Sequence, residues 1–318
     1  MAFIKLLVTF GLVWIIGRNV KLQVILVRLQ DTNLLTMFFV VAVLAAVPIL
    51  HALRWRLVLQ TSGYALNFSK VFQAVMIGYF FNQTLPSSVG GDAYRVWYIY
   101  RTGMHLGEAF SSVIVDRLIA LTALLMICAF SMPWIFNLTG GGQASWAVVV
   151  LVVAGVMGLG FVLMLERLPA RWNHWRVVRG LVRLGAHLRK VFVNFRIAVT
   201  TIVISALGHI VTAILVAVIG FAVRIPLSLT DCLLLVPLVM LIAMVPISIA
   251  GWGVREGAMV VAFGFIGVAP ADAFLLSLLF GLALLVASLP GGLLWLAGRR
   301  HSKLPSQRFD GSPPFNQG

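Results

Sequence analysis

The chain has 318 residues, of which 61% are hydrophobic and only 10% charged, and a formal net charge of +15. A soluble domain carries roughly 25% charged residues. The composition therefore leaves no room for a separate soluble enzyme domain and indicates an all-α, polytopic helical membrane protein. The positive charge does not point to nucleic acid: the basic residues lie mostly between apolar runs, as the positive-inside rule requires of cytoplasmic loops.

In chain order, the apolar run 2–17 carries Lys5 and no convincing small-residue cleavage site, which predicts a retained first span rather than a signal peptide. Further spans are predicted at 34–53, 108–132, 146–165, 197–223 and 271–297, each close to the ~20 residues a bilayer needs. Regions 67–105 and 231–268 are also apolar, but each is interrupted by a Pro/Gly-containing phrase. Loop 167–196 holds Arg167, Arg171, Arg176, Arg179, Arg183, Arg189, Lys190 and Arg196, and the tail holds Arg299, Arg300, Lys303 and Arg308. Both are expected in the cytoplasm, as are Arg54, Arg56 and Lys70, whereas 133–145 has no Lys or Arg and is expected outside.

Parity then makes 67–105 begin and end on the cytoplasmic side and 231–268 on the outer side, as hairpins that are either re-entrant or two full helices. Residues 1–298 are expected to form one integral membrane domain with inverted halves at about 34–132 and 197–297. Residues 299–318, rich in Pro, Ser and Gly, are expected to be a disordered cytoplasmic tail. Within 171–196, Arg176, Arg179, Arg183, His187 and Lys190 share one helical stripe, and Trp172, Trp175, Val178 and Val182 another. This segment reads either as an interfacial helix on anionic headgroups or as a plain topogenic loop. Cys128 and Cys232, inside apolar runs, read as core residues.

The two interrupting phrases are related. Residues 86–95 (Pro-Ser-Ser-Val-Gly-Gly-Asp-Ala-Tyr-Arg) and 246–255 (Pro-Ile-Ser-Ile-Ala-Gly-Trp-Gly-Val-Arg) match without a gap at Pro86/Pro246, Ser88/Ser248, Gly91/Gly251 and Arg95/Arg255. The same offset pairs Gly107 with Gly267 and Ala109 with Ala269. Helix-breaking phrases at corresponding positions of two halves point to a transporter-like site at a repeat interface; coincidence between two glycine-rich loops is the alternative.

Charges at membrane depth are costly and usually face a cavity or a partner. Asp92 and Arg95 fall at the first hairpin tip, Arg255 and Glu256 at the second, and Asp116 and Arg117 about two turns into span 108–132. The carboxylates either neutralise neighbouring arginines, Asp116 pairing with one from a hairpin, or carry protons. His209 reads as a satisfied core residue. A helix opening near Gly91 and another near Gly251 would offer unpaired N–H groups to an anion. Arg95 and Arg255 would lie about one turn inside, with forks suited to phosphate or carboxylate. Asn82, Gln83, Thr84, Ser87, Ser88 and Ser248 would add neutral hydrogen bonds. No zinc-ligand spacing, P-loop or G-x-S-x-G elbow occurs, and no cofactor is expected.

Taken in order, Phe81-Asn82-Gln83-Thr84-Leu85-Pro86-Ser-Ser-Val-Gly90-Gly91-Asp92-Ala-Tyr-Arg95, Gly107-Glu-Ala109, Asp116-Arg117 and Pro246-Ile-Ser248-Ile-Ala-Gly251-Trp-Gly253-Val-Arg255-Glu256-Gly257 resemble the signatures of one family. It is the flippase-like membrane domain of lysylphosphatidylglycerol synthases/flippases and their stand-alone relatives. The resemblance spans nearly the whole chain. It implies handling of lipid in a bacterial cytoplasmic (inner) membrane, with Asn82, Pro86, Gly91, Asp92, Arg95, Asp116, Arg117, Gly251, Gly253, Arg255 and Glu256 at signature positions. The chain has no counterpart of the soluble aminoacyl-transfer domain after residue 298, so lipid aminoacylation is expected to be absent. The expected activity is movement of a lipid with an anionic or phosphate-bearing headgroup. The alternative is a non-transport accessory protein of lipid, hopanoid or glycolipid biosynthesis, partnered with its enzymes.

Overall fold

A computed structural model describes residues 33–85, 89–167, 175–244 and 252–301. The predicted span 2–17, the tail from Ser302, and Pro86, Ser87, Ser88, Pro246, Ser248 and Gly251 lie outside these residues. Among the described residues every regular element is helical: α1 (Leu34–Thr61), α2 (Phe68–Thr84), α3 (Gly90–Arg101), α4 (Leu106–Thr139), α5 (Gln143–Met164, followed by a 3₁₀ turn), α6 (Arg176–Val193), α7 (Phe195–Ala222), α8 (Leu229–Ala243), α9 (Val254–Gly264) and α10 (Pro270–His301). The chain is a polytopic helical membrane protein. Helices α1, α4, α5, α7 and α10 are long and apolar enough to cross a bilayer, and they coincide with five of the predicted spans. Phe130, Phe221 and Leu293 are each more than 60% exposed on their flanks, as lipid-facing residues are.

One boundary differs from expectation in a way that matters. Helix α1 does not stop at residue 53 but runs to Thr61, because no breaker intervenes. It ends at Ser62-Gly63, where Gly63 takes φ 82° and the Tyr64 N–H returns to the Leu59 carbonyl at 3.2 Å. Arg54, read from the sequence as a charge beyond the end of the span, is therefore part of the helix. It lies inside the helix, 5% exposed.

The two interrupted regions are helical hairpins, α2–α3 and α8–α9, of 17 and 12 residues and of 15 and 11 residues. At 1.5 Å per residue each described helix is shorter than the ~30 Å hydrocarbon core. A capping box of Ser228 and Asp231 starts α8, and Asn33 and Asn194 cap α1 and α7 through their side-chain oxygens.

The packing exchanges the two halves. Helix α1 lies on α2, α4 and α10, while α7 lies on α8, α10 and α4; α2 lies on α3 and α10, while α8 lies on α9 and α4; α3 lies on α4, and α9 on α10. Swapping α1–α4 with α7–α10 maps these neighbours on to each other. The corresponding helices α1 and α7 also pack together and run antiparallel: Arg54 meets Ser205, His51 lies over Gly208, and Leu44 shares a core with Val216. Antiparallel packing of equivalent helices is what an axis in the membrane plane produces.

The pairing of Gly107 with Gly267 is corrected by the structure. Gly107 lies in the first turn of α4, whereas Gly267 ends the second hairpin with φ 80°. The counterpart of Gly267 is Gly103, which ends the first hairpin with φ 101°. Helix α6 has one face against α1, α4 and α5, with Leu188 and Val191 buried, and exposes Arg179, Arg183, Arg189 and Lys190. His187 does not belong to that exposed stripe. It is buried, with Nε2 against the Ser62 hydroxyl at 2.9 Å and Nδ1 against that of Ser111 at 3.2 Å.

Candidate functional site

The two hairpins and the crossing of α1 with α7 surround a cavity of about 520 Å³. Arg54, Asp92, Arg95, Asp116, Arg117 and Arg255 line it, with His51, His209, Asn82, Gln83, Tyr79, Ser205 and Thr212. Val75, Leu124, Met240, Phe280 and Leu284 supply apolar wall. Polar groups converging in a concavity with apolar walls are what a ligand site needs, and here the charged groups are unusually many.

Its centre is Asp116 of α4, fully buried. One carboxylate oxygen accepts from Arg54 Nε at 2.6 Å and the other from Arg95 Nη2 at 2.7 Å. Arg54 continues to the Ser205 hydroxyl of α7 at 3.1 Å, which ties the two halves together. Arg95 also reaches Asp92 at 3.4 Å, and its guanidinium stacks 4.0 Å from the Trp55 ring centroid. Arg95 Nε is buried without a hydrogen-bond partner among the described residues. Asp92 accepts from Arg117 Nε at 3.0 Å and Nη2 at 3.1 Å, and Arg117 is the most open of these groups, its side chain 42% exposed.

The second tip is built differently. Arg255 donates to Glu256 Oε1 at 2.6 Å and to the Ser277 hydroxyl of α10 at 3.2 Å. It lies 4.9 Å from the Trp252 ring centroid and 5.6 Å from that of Phe280. The other Glu256 oxygen accepts from the Gly253 N–H, and Gly253 opens α9 with φ 86°, a left-handed value that favours glycine.

Thus Asn82, Gly91, Asp92, Arg95, Asp116, Arg117, Arg255 and Glu256 gather at or beside one cavity. Ser88, Ser248 and Gly251 are not described. The expected anion cradle at the helix openings is partly occupied by the protein itself. The Gly91 N–H donates to Asn82 Oδ1 at 2.9 Å, and that of Gly253 goes to Glu256. Helix α9 opens at Val254, three residues later than Gly251. Gly91 serves close packing: a Cβ there would collide with the Gly78 carbonyl of α2. His209 contacts the Ala120 carbonyl at 3.2 Å, as a satisfied residue should, and also faces the cavity.

Arg54, His51, Trp55 and Ser205 escaped the sequence reading. The available signal for Arg54 was the lack of any helix breaker between it and the apolar run 34–53. Among the described residues no group of three or more His, Cys, Asp or Glu side chains is placed to hold a metal. Cys128 and Cys232 are buried and unpaired with each other.

The chain is similar to archaeal UPF0104 membrane proteins. It is 32% identical over 141 residues to one from Methanocaldococcus jannaschii, covering 43% of this chain and 41% of the relative. It is 27% identical over 254 residues to one from Methanothermobacter thermautotrophicus, covering 70% and 73%. A third, from Pyrococcus horikoshii, is 27% identical over 120 residues, covering 37% and 34%. The match thus spans about two-fifths of the first of these relatives. A family model described as the lysylphosphatidylglycerol synthase TM region matches residues 2–291, and with it the hairpins, the cavity and the arginine–carboxylate network. The chain belongs to that family.

Proposed function

We propose that the protein moves a lipid with an anionic, phosphate-bearing headgroup between the leaflets of a cytoplasmic membrane. The observation that carries this reading is the convergence of Arg54, Arg95, Arg117 and Arg255 on one cavity between two broken hairpins. Guanidinium forks suit phosphate oxygens, and a site at the interface of inverted halves becomes open to each side in turn as the halves rock. The headgroup occupies the polar centre, and the acyl chains stay in lipid. In this proposal α6 and the end of α10 face the cytoplasm.

The test is a liposome assay in which fluorescent lipids of different headgroups are quenched from outside. Protein should increase the accessible fraction of an anionic phospholipid, and Arg95→Gln/Arg255→Gln should abolish the increase while remaining monodisperse and folded. Full movement in that double variant would remove the site assignment. A second reading is favoured by the exposed Arg179, Arg183, Arg189 and Lys190 of α6: an accessory protein that docks a lipid-synthesising enzyme there. It predicts loss of function on charge reversal in α6 and little effect of the two tip arginines.

A further inference from the structure

The charges around the cavity do not cancel. Arg54, Arg95, Arg117 and Arg255 line it together with Asp92 and Asp116, and Glu256 pairs with Arg255. Four guanidiniums thus meet three carboxylates. The described lining holds no other Lys, Arg, Asp or Glu, and the adjoining segments 86–88 and 245–251 have none in their sequence. At a pH where free histidine is neutral, one positive charge is left over. The donors for it are in place: Arg95 is 7% exposed and its Nε is unpartnered among the described residues, while Arg117 at the open edge engages Asp92 with Nε and Nη2.

An unbalanced charge in a low-dielectric site is costly, and so is an over-compensated one. Resting on the reading of this cavity as a headgroup site, we propose that it selects lipids of one net negative charge. The matching chemistry is a phosphodiester with an uncharged alcohol. A zwitterionic headgroup brings its own cation and leaves the excess in place. A phosphomonoester, with about −1.5 to −2 charge at neutral pH, reverses the imbalance rather than removing it. Arg95 Nε and the outer edge of the Arg117 guanidinium are the donors to the single phosphate.

The test is lipid binding to the purified full chain at pH 8, where free histidine is neutral. Displacement of fluorescent phosphatidylglycerol from protein in phosphatidylcholine nanodiscs is followed with dioleoyl-phosphatidylglycerol, dioleoyl-phosphatidic acid and dioleoyl-phosphatidylcholine. Phosphatidylglycerol should win over each of the others by roughly tenfold, the scale of one residual charge at these distances. Asp92→Asn raises the excess to two and should shift preference toward phosphatidic acid. Arg117→Gln removes the excess and should erase the advantage of phosphatidylglycerol over phosphatidylcholine. Equal binding of phosphatidylglycerol and phosphatidic acid by the wild-type chain overturns the single-charge rule but leaves the proposed function standing. Failure of either anionic lipid to outbind phosphatidylcholine overturns both. If a variant does not fold, the wild-type order alone decides.

Discussion

The two hairpin tips start from matching phrases, yet they set their arginines about a turn apart, Arg95 as the sixth residue of α3 and Arg255 as the second of α9, and neutralise them by different means. Counted from the glycine that ends each hairpin, Gly103 or Gly267, Asp116 and Phe280 stand at the same remove on α4 and α10. Arg95 thus finds a carboxylate where Arg255 finds an aromatic ring. The second half supplies its counter-ion from the next residue in the chain, Glu256, which stands where the first half has Asp92, itself within 3.4 Å of Arg95. The Arg95 network therefore joins α1, α3, α4 and α7, whereas the Arg255–Glu256 pair lies within α9 and, among the described residues, bonds beyond it to the Gly253 N–H and to Ser277 of α10. Each tip carries an arginine, and its partner comes from whichever neighbour reaches it. The first tip ties the halves together through Arg54 and Ser205; the second is bonded within its own half.

That contrast can be broken most directly at its hub. Asp116→Ala takes from two buried guanidiniums the carboxylate they share, leaving Arg54, among the described residues, only the Ser205 hydroxyl and Arg95 only the longer contact to Asp92; it should cost about 3–5 kcal/mol, read as a large drop in the melting temperature of the detergent-solubilised protein. A variant as stable as wild type would show that the network does not hold the halves together. Glu256→Gln keeps an acceptor for the Gly253 N–H but loses one ion pair, and about 2–3 kcal/mol is expected in the same assay. A loss equal to that of Asp116→Ala would erase the distinction between the tips.

Backbone contact offers a finer probe. Gly91→Ala drives a methyl into the Gly78 carbonyl and should destabilise by about 1–3 kcal/mol. Gly281→Ala in the second half meets the flexible end of Arg255 instead. It should cost less stability and more transport, measured by lipid quenching. The smallest effect is expected outside both halves, at His187. Burial holds its imidazole below the ordinary histidine value, so its folded form resists protonation. The contribution is complete above about pH 6.5 and is lost as pH falls from there toward the lower folded-state value. Protection of α6 amides from exchange should fall between pH 7.5 and 5.5, and His187→Gln should flatten that dependence.

The sequence by itself determined the class and the plan. Runs near 20 apolar residues dictate spans, because backbone groups in lipid must be satisfied within the helix. Pro86, Gly91, Pro246 and Gly251 marked both places where helices give way. The charges of the first tip and of α4 were legible as one site, since Asp92, Arg95, Asp116 and Arg117 are too costly to leave in lipid. Tertiary structure decided the pairings. Arg54 looked like a loop charge until α1 continued past it, and its partner Asp116 lies 62 residues away. Ser205 reaches Arg54 only because α7 crosses α1 in the opposite direction, and Gly91 needs no side chain only because Gly78 lies against it. Periodicity and composition act within one helix. Which helix supplies a buried arginine's counter-ion is settled by how the two halves close on each other.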